Sequence, residues 1–255
     1  MDTKRLLSYV RRAVDDYSMI RSGDRVAVAV SGGKDSLVLA LALKGLERFY
    51  KERFTMAAYT VSVGFGMDYQ PLRDFFAEHE IPYTVIETQI KEIVFDIRKE
   101  QHPCALCASL RKGALHNQLA LDGFNKVALG HHKEDVINTF LLSLLYEGRL
   151  NTFQPVTELS RSSLTVIRPL IYVPENEIVY YTNKEQLPVL KNNCPVDGIT
   201  KRHDMEELLK TLRHEDHHIP ERIFNAIQNS EMPGWHTDFV PNRQPKSKSK
   251  DQKES

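Results

Sequence analysis

Cysteine is scarce in this chain. Only Cys104, Cys107 and Cys194 occur in 255 residues, an odd and small number that excludes a disulfide scaffold and marks the thiols as ligands or reactive groups. An excess of one charge is also missing: 34 basic residues face 34 acidic ones, and the formal net charge is zero. That balance gives no support to a large nucleic-acid surface, while leaving room for a local one. Ten histidines add positive charge just below neutral pH. Long apolar runs are absent too. The stretch Leu37 to Leu43 is far too short to span a bilayer. The segment MDTKRLLSYVRRAVDDY is charged throughout and has no apolar signal-peptide centre. The expectation is a soluble cytoplasmic protein with no membrane partner. Hydrophobic residues at 41% and charged residues at 27% allow one large core, or one domain with a small appendage.

What is present is an alternation. Leu6, Leu7, Val10, Val14 and Tyr17 recur at helical spacing, so an amphipathic helix opens the chain. Arg25 to Val30 is a short β-branched strand, and a helix begins near Ser36. Phe54 to Val63 reads as a strand, Pro71 to Glu80 as a helix with proline in its first turn, and Pro82 to Glu87 as a strand. Cys107 to Leu121 is a predicted helix, Lys126 to Leu129 a strand, Asp135 to Tyr146 an apolar helix, Leu164 to Ile167 the last strand, and Pro174 to Gln186 a further helix. Strands alternating with helices imply an α/β fold, a parallel sheet covered by helices on both faces. Two terminal helices, Thr200 to Asp216 and Pro220 to Asn229, have no strand between them. The expected organisation is a main domain over 1–190, a helical extension over 191–231 and a disordered tail over 232–255, where apolar residues thin out and Lys and Ser alternate.

One interruption calls for chemistry. The run VAVAVSGGKDSLVLA breaks apolar sequence with Ser31-Gly32-Gly33-Lys34-Asp35-Ser36. A strand, two glycines and a helix start form a phosphate-binding layout, because glycine admits an anion to backbone N–H groups and a helix N-terminus carries unpaired ones. A Walker A loop would need glycine in place of Val28 and Ser or Thr in place of Asp35, and the three spaced glycines of a dinucleotide fingerprint are absent. The stretch resembles the PP-loop of the N-type ATP pyrophosphatases. Further along stand Pro103-Cys104-Ala105-Leu106-Cys107, Leu110-Arg111-Lys112-Gly113, Ala128-Leu129-Gly130-His131-His132-Lys133-Glu134-Asp135, Ile167-Arg168-Pro169-Leu170 and Cys194. In this order, from about Leu6 to Asn229, they are similar to the tRNA 2-thiocytidine synthetase family.

That resemblance implies the adenine nucleotide alpha-hydrolase-like fold and ATP-dependent sulfur insertion into a tRNA pyrimidine, most simply an anticodon-loop cytidine. It implies that Ser31, Gly32, Gly33, Lys34, Asp35 and Ser36 hold the ATP phosphates. Backbone at Ala29, Val30, Val61 and Gly130 would lie beside the nucleotide, at the carboxyl ends of strands where open α/β sheets bind ligands. Lys34 would neutralise phosphate charge. Asp35 and Asp135 would hold Mg²⁺ or position the nucleotide, and Arg111 and Lys112 would stabilise AMP or bind a tRNA phosphate. The family's 4Fe–4S cluster would sit on Cys104, Cys107 and Cys194 with one iron lacking a protein ligand. A hydrosulfide or a persulfide-carrying cysteine desulfurase would be the sulfur donor, and a homodimer is a candidate assembly. Other readings of the same residues stand beside these. The CxxC suits a redox pair or, with His102, a zinc site. Asp135 suits a helix cap, and His131 and His132 suit packing. A PP-loop ligase or amidotransferase without a cluster, or a non-catalytic metal- and nucleotide-binding protein, would share parts of the pattern. The resemblance departs at Asp197, where relatives have cysteine, at Glu134, where they have aspartate, and at Ser62, where they have an acidic residue.

Overall fold

In the computed structural model the described residues are 1–98, 100, 103–160, 163–191, 193–194 and 201–236, those at 201–203 for backbone only. Asp197, His102 and the segment from 237 onward lie outside them. Helix α1 (Thr3–Asp16) starts where the Asp2 carboxylate accepts from the Arg5 N–H at 2.8 Å, and it buries Leu6, Val10, Ala13 and Val14. Strand β1 (Arg25–Ala29) runs into α2 (Lys34–Phe49). Then come β2 (Thr55–Ser62), α3 (Gln70–Glu78), β3 (Tyr83–Glu87), α4 (Pro103–Leu121), β4 (Lys126–Ala128) and α5 (Lys133–Leu142). The chain continues through β5 (Val156–Glu158), β6 (Thr165–Ile167), α6 (Glu175–Lys184), α7 (Lys201–Glu215) and α8 (Ile219–Gln228).

The six strands lie in the order β3-β2-β1-β4-β6-β5, all parallel except the edge pair β5–β6. The pleat sorts each strand's residues between two cores. Val26, Val28, Met56, Ala58, Ala128 and Ile167 face a core built with α1, α2, α3, α5, α6 and α8. Ala27, Ala57, Tyr59, Val61, Val127 and Val166 face a smaller one closed by Leu115 and Leu119 of α4 and by Ile90 and Val94. The expected α/β sandwich is thus the observed one. Because β1 connects outward toward β2 and β3 while β4 leads the other way, the strand order reverses between β1 and β4. Their carboxyl ends form the crevice where such sheets take ligands.

Three differences from the sequence reading have physical causes. Helix α4 begins at Pro103 rather than Cys107, because proline fits a first helical turn; this places the CxxC inside the helix. A further strand, β5, pairs antiparallel at the sheet edge. The expectation of a disordered tail over 232–255 is corrected at its start, over 232–236, because Met232 is 9% and Trp235 only 1% exposed and both belong to the larger core; the rest of that span lies outside the described residues. The Trp235 ring meets Tyr17 at 5.9 Å and Phe224 at 5.8 Å, edge-on in both cases. Two π-helical turns, Glu92–Ile97 and Ser143–Glu147, follow β3 and α5 and were not foreseen.

Candidate active site

The turn after β1 is held by its own side chains. Ser36 is buried; its hydroxyl donates to the Gly33 carbonyl at 2.8 Å and accepts the Ser31 N–H at 3.3 Å. The Ser31 hydroxyl in turn accepts the Gly33 N–H at 3.3 Å. Gly32 takes φ +87°, a conformation that disfavours any side chain, and Leu190 packs against it with its N–H bonded to the Gly32 carbonyl at 2.9 Å. Gly33 caps α2, so the first N–H groups of that 16-residue helix open toward the turn.

The loop from β4 into α5 presses on this helix start. A Cβ at Gly130 would lie 3.0 Å from the Asp35 carbonyl carbon and 3.1 Å from the Ser36 nitrogen, so any side chain there would push the helix start back by a few tenths of an ångström. The approach brings two carboxylates to one imidazole: His132 Nε2 stands 4.0 Å from Asp35 and 3.5 Å from Asp135. Asp135 also accepts the His132 backbone N–H at 2.9 Å, so its helix-cap role is real. Asp35 Oδ1 is a buried oxygen that accepts no hydrogen bond, its ion pair with Lys34 at 3.1 Å aside. Two convergent carboxylates with a spare hard oxygen suit Mg²⁺, which takes one or two carboxylates and completes its shell with phosphate and water. Among the described residues no three Cys, His, Asp or Glu side chains are grouped so as to chelate a single metal ion.

Around His132 lies a buried charge network. Glu134 accepts from Arg213 at 2.8 Å and from the Glu175 N–H at 2.7 Å, and faces His132 Nδ1 at 3.4 Å. Burial opposes its ionisation, but His132, the Glu175 N–H and Arg213 outweigh it and hold the carboxyl at about 2. Burial likewise pulls His132 down, and Glu134, Asp135 and Asp35 more than reverse it, so its pKa is raised. Lys133 bonds Glu221 on α8. Lys34 pairs with Glu175 at 3.0 Å; burial lowers its pKa, but Asp35 and Glu175 bring it above the usual value.

A cavity of about 570 Å³ opens at the carboxyl ends of β1 and β4. Of the residues singled out from sequence, Ala29, Val30, Ser31, Asp35, Ser36, Val61, Arg111, Lys112, Gly130 and Asp135 line it. Gly33 instead borders a neighbouring cavity, Gly32 turns to Leu190, and Lys34 turns to Glu175. Sequence reasoning gave no role to Arg168, which also lines the larger cavity although only 9% exposed. Its guanidinium donates to the Gln154 carbonyl at 2.6 Å, the Thr157 hydroxyl at 3.1 Å and His131 Nδ1 at 3.2 Å. No carboxylate pairs with it among the described residues, and burial alone lowers its pKa to about 10. The available signal was its position directly after β6, at a strand's carboxyl end.

Cys104 and Cys107 occupy the first turns of α4, and Arg111 follows Cys107 by one turn on the same helix face. Burial raises the Cys107 thiol; Arg111 opposes this, while Cys194 and Cys104 add to it. The third cysteine therefore lies within electrostatic reach of the pair. The three thiols are free of disulfides and are the donor type that iron–sulfur clusters require, and they are not drawn together around one point.

Residues 5–197 match the family described as PP-loop domain. The chain is 40% identical over 230 residues to the tRNA-cytidine(32) 2-sulfurtransferase of Pelobacter propionicus, covering 89% of this chain and 86% of that one. It is 33% identical over 233 residues to the protein of the same name from Coxiella burnetii, covering 89% and 90%. Among solved structures it resembles the U34-tRNA thiolase NcsA from Methanococcus maripaludis with its 4Fe–4S cluster, at TM-score 0.69 and 21% identity, over 88% of this chain and 77% of that one. A second fold neighbour is an NMN synthetase from Francisella tularensis, at TM-score 0.52 and 17% identity, over 95% and 99%. With the family match spanning most of the chain and relatives of this identity over nearly nine-tenths of it, the chain belongs to the PP-loop family and, within it, to the tRNA-cytidine(32) 2-sulfurtransferases.

Proposed function

We propose that the protein replaces the 2-carbonyl oxygen of a tRNA cytidine with sulfur at the expense of ATP. The observation that carries this reading is the layout of α4, with two cysteines in its first turns and Arg111 and Lys112, one turn further, lining the nucleotide cavity. A pyrimidine carbonyl oxygen is a poor leaving group. Attack of that oxygen on the α-phosphorus of ATP forms an adenylated base and releases pyrophosphate; attack of a sulfur nucleophile on the same ring carbon then expels AMP, which carries the oxygen away. The turn Ser31–Ser36 with the α2 N-terminus would bind the phosphates that leave, and Lys34 would exchange Glu175 for phosphate oxygens. Asp35 and Asp135 would hold Mg²⁺. Arg111, Lys112 and Arg168 would bear the charge of AMP as it forms.

Cys104, Cys107 and Cys194 would hold the 4Fe–4S cluster. When bound, the cluster supplies an iron without a protein ligand, at which sulfide can be held ready for transfer. A hydrosulfide or a cysteine desulfurase carrying a persulfide would be the donor, and a homodimer the assembly. No helix among the described residues is long and apolar enough to cross a membrane, and a tRNA substrate suits the cytoplasm. The test is mass spectrometry of tRNA nucleosides from cells with and without the gene: 2-thiocytidine present only with the gene supports the reading, and identical nucleosides refute it.

A further inference from the structure

Beside the nucleotide cavity lies a smaller one, of about 200 Å³, which Gly33 of the phosphate turn borders and whose apolar wall no step above uses. Its outer wall comes from the segment after β2, Val63-Gly64-Phe65-Gly66-Met67-Asp68-Tyr69. The odd-numbered residues are apolar and half-buried; Gly64, Gly66 and Asp68 between them are more exposed. Gly64 and Gly66 take φ +94° and +67°, so the segment is no strand. Its left-handed kinks turn Val63, Phe65, Met67 and Tyr69 toward one space. Phe65 is braced edge-on by Phe95 at 5.6 Å and by the Lys91 ammonium 5.9 Å from its ring centre. Apolar and aromatic groups held around an open space have a ligand face available.

The inner wall sets what that ligand must be. Ser31, Val61 and Arg111 line this cavity and the nucleotide cavity alike. Leu190, which closes one side, packs on Gly32 and precedes Cys194 by one short stretch of chain. The space therefore borders the phosphate turn and the basic side chain of α4. Its volume is below the roughly 300–1,000 Å³ of pockets for drug-sized molecules; it suits a single ring rather than a nucleotide.

We propose that this cavity is the seat of the target pyrimidine, turned out of the RNA stack and laid against Phe65, Met67 and Tyr69, with its carbonyl toward Ser31 and Arg111. The inference rests on the thiolation reading. Enzymes that act on a base commonly take it from its stack into a pocket of aromatic and apolar side chains. Here that pocket adjoins the place where pyrophosphate leaves.

The experiment measures binding of the full-length, cluster-loaded protein, with a non-hydrolysable ATP analogue, to two forms of a tRNA that it thiolates. One form carries cytidine at the modified position and the other an abasic residue. Wild type should prefer cytidine by roughly five- to 150-fold, the scale of one base stacked on aromatic side chains. Met67→Trp, which fills the cavity, and Phe65→Ala, which removes its braced ring, should bind the two RNAs alike while keeping affinity for the ATP analogue within about twofold; that retained affinity reports a folded protein. A wild type indifferent to the abasic site, or variants that retain the preference, would overturn the proposal and leave thiolation standing. A wild type that forms no 2-thiocytidine on any tRNA would overturn both.

Discussion

Lys34 stays protonated throughout the neutral range, since the pull of Asp35 and Glu175 exceeds the effect of burial. Its ammonium is partly exposed and lies outside the cores, so Lys34→Ala should fold. Pyrophosphate release should nevertheless fall by about a hundredfold or more, as for loss of one preorganised cation or donor at a developing charge. An unchanged rate in a continuous pyrophosphate assay would contradict the role given to it. Glu134 makes a prediction about pH. Its carboxyl is depressed from 4.5 to about 2, so its contribution to stability is complete above pH 4.5 and is lost as the pH falls toward 2. The raised His132 acts oppositely: its contribution is complete below 6.5 and lost as the pH rises through its folded value. Urea unfolding across a pH series should therefore show that Glu134→Gln lowers stability near pH 5.5 by about 3 kcal/mol, the scale of a broken buried ion pair, and flattens the acid limb. A curve parallel to that of wild type would contradict the network.

At the scale of elements, the residues that alternate strictly were the ones readable from sequence. Val26, Ala27 and Val28 sort to opposite faces of β1, and Leu6, Val10 and Val14 to one face of α1, as periodicity alone requires. The strand-to-helix turn at Ser31–Ser36 was equally visible, because two glycines between apolar runs have few other uses. What escaped had no period to read. Strand β5 spans only Val156–Glu158 on the sheet edge, and the π-helical turns at Glu92–Ile97 and Ser143–Glu147 follow no 3.6-residue repeat. Arg168 stood in the Ile167-Arg168-Pro169-Leu170 stretch, but its role escaped because an arginine after a short strand does not announce a cavity. Trp235 escaped because no helical or strand period surrounds it and its partners, Tyr17 and Phe224, are more than 200 and about 10 residues away in sequence. Its burial changes what a truncation should do. The reference for the comparison is a chain ended after His236. Ending it after Ser230 removes Met232 and Trp235 from the core and should cost about 3–5 kcal/mol, as for deletion of a buried large aromatic. Equal melting temperatures for the two truncations would contradict the packing of Trp235.

At the scale of the molecule, the sheet places two chemistries at one end. The β1 turn and the β4–α5 loop bring Asp35 and Asp135 to one cavity, and α4 brings Arg111 and Lys112 to it, a turn or two beyond Cys104 and Cys107. The helical extension is tied to that rim through Arg213–Glu134 and Lys133–Glu221, so its position bears on the site although none of its described residues lines either cavity. If the thiols serve sulfur transfer and the PP-loop turn serves ATP, the two functions separate by mutation. Cys194→Ala should lose the iron–sulfur absorption after anaerobic reconstitution and lose thiolation, yet bind ATP as tightly as wild type. Stoichiometric zinc in place of iron, or full thiolation by this variant, would contradict the ligand set. The most direct measurement of the whole account is reconstituted, anaerobic thiolation of unmodified tRNA, with nucleosides resolved by mass spectrometry and pyrophosphate counted in the same reaction. The account predicts 2-thiocytidine and pyrophosphate in equal amounts, dependent on ATP and on sulfide. Thionucleoside formed without ATP, or pyrophosphate released on tRNA with no thionucleoside formed, would contradict it.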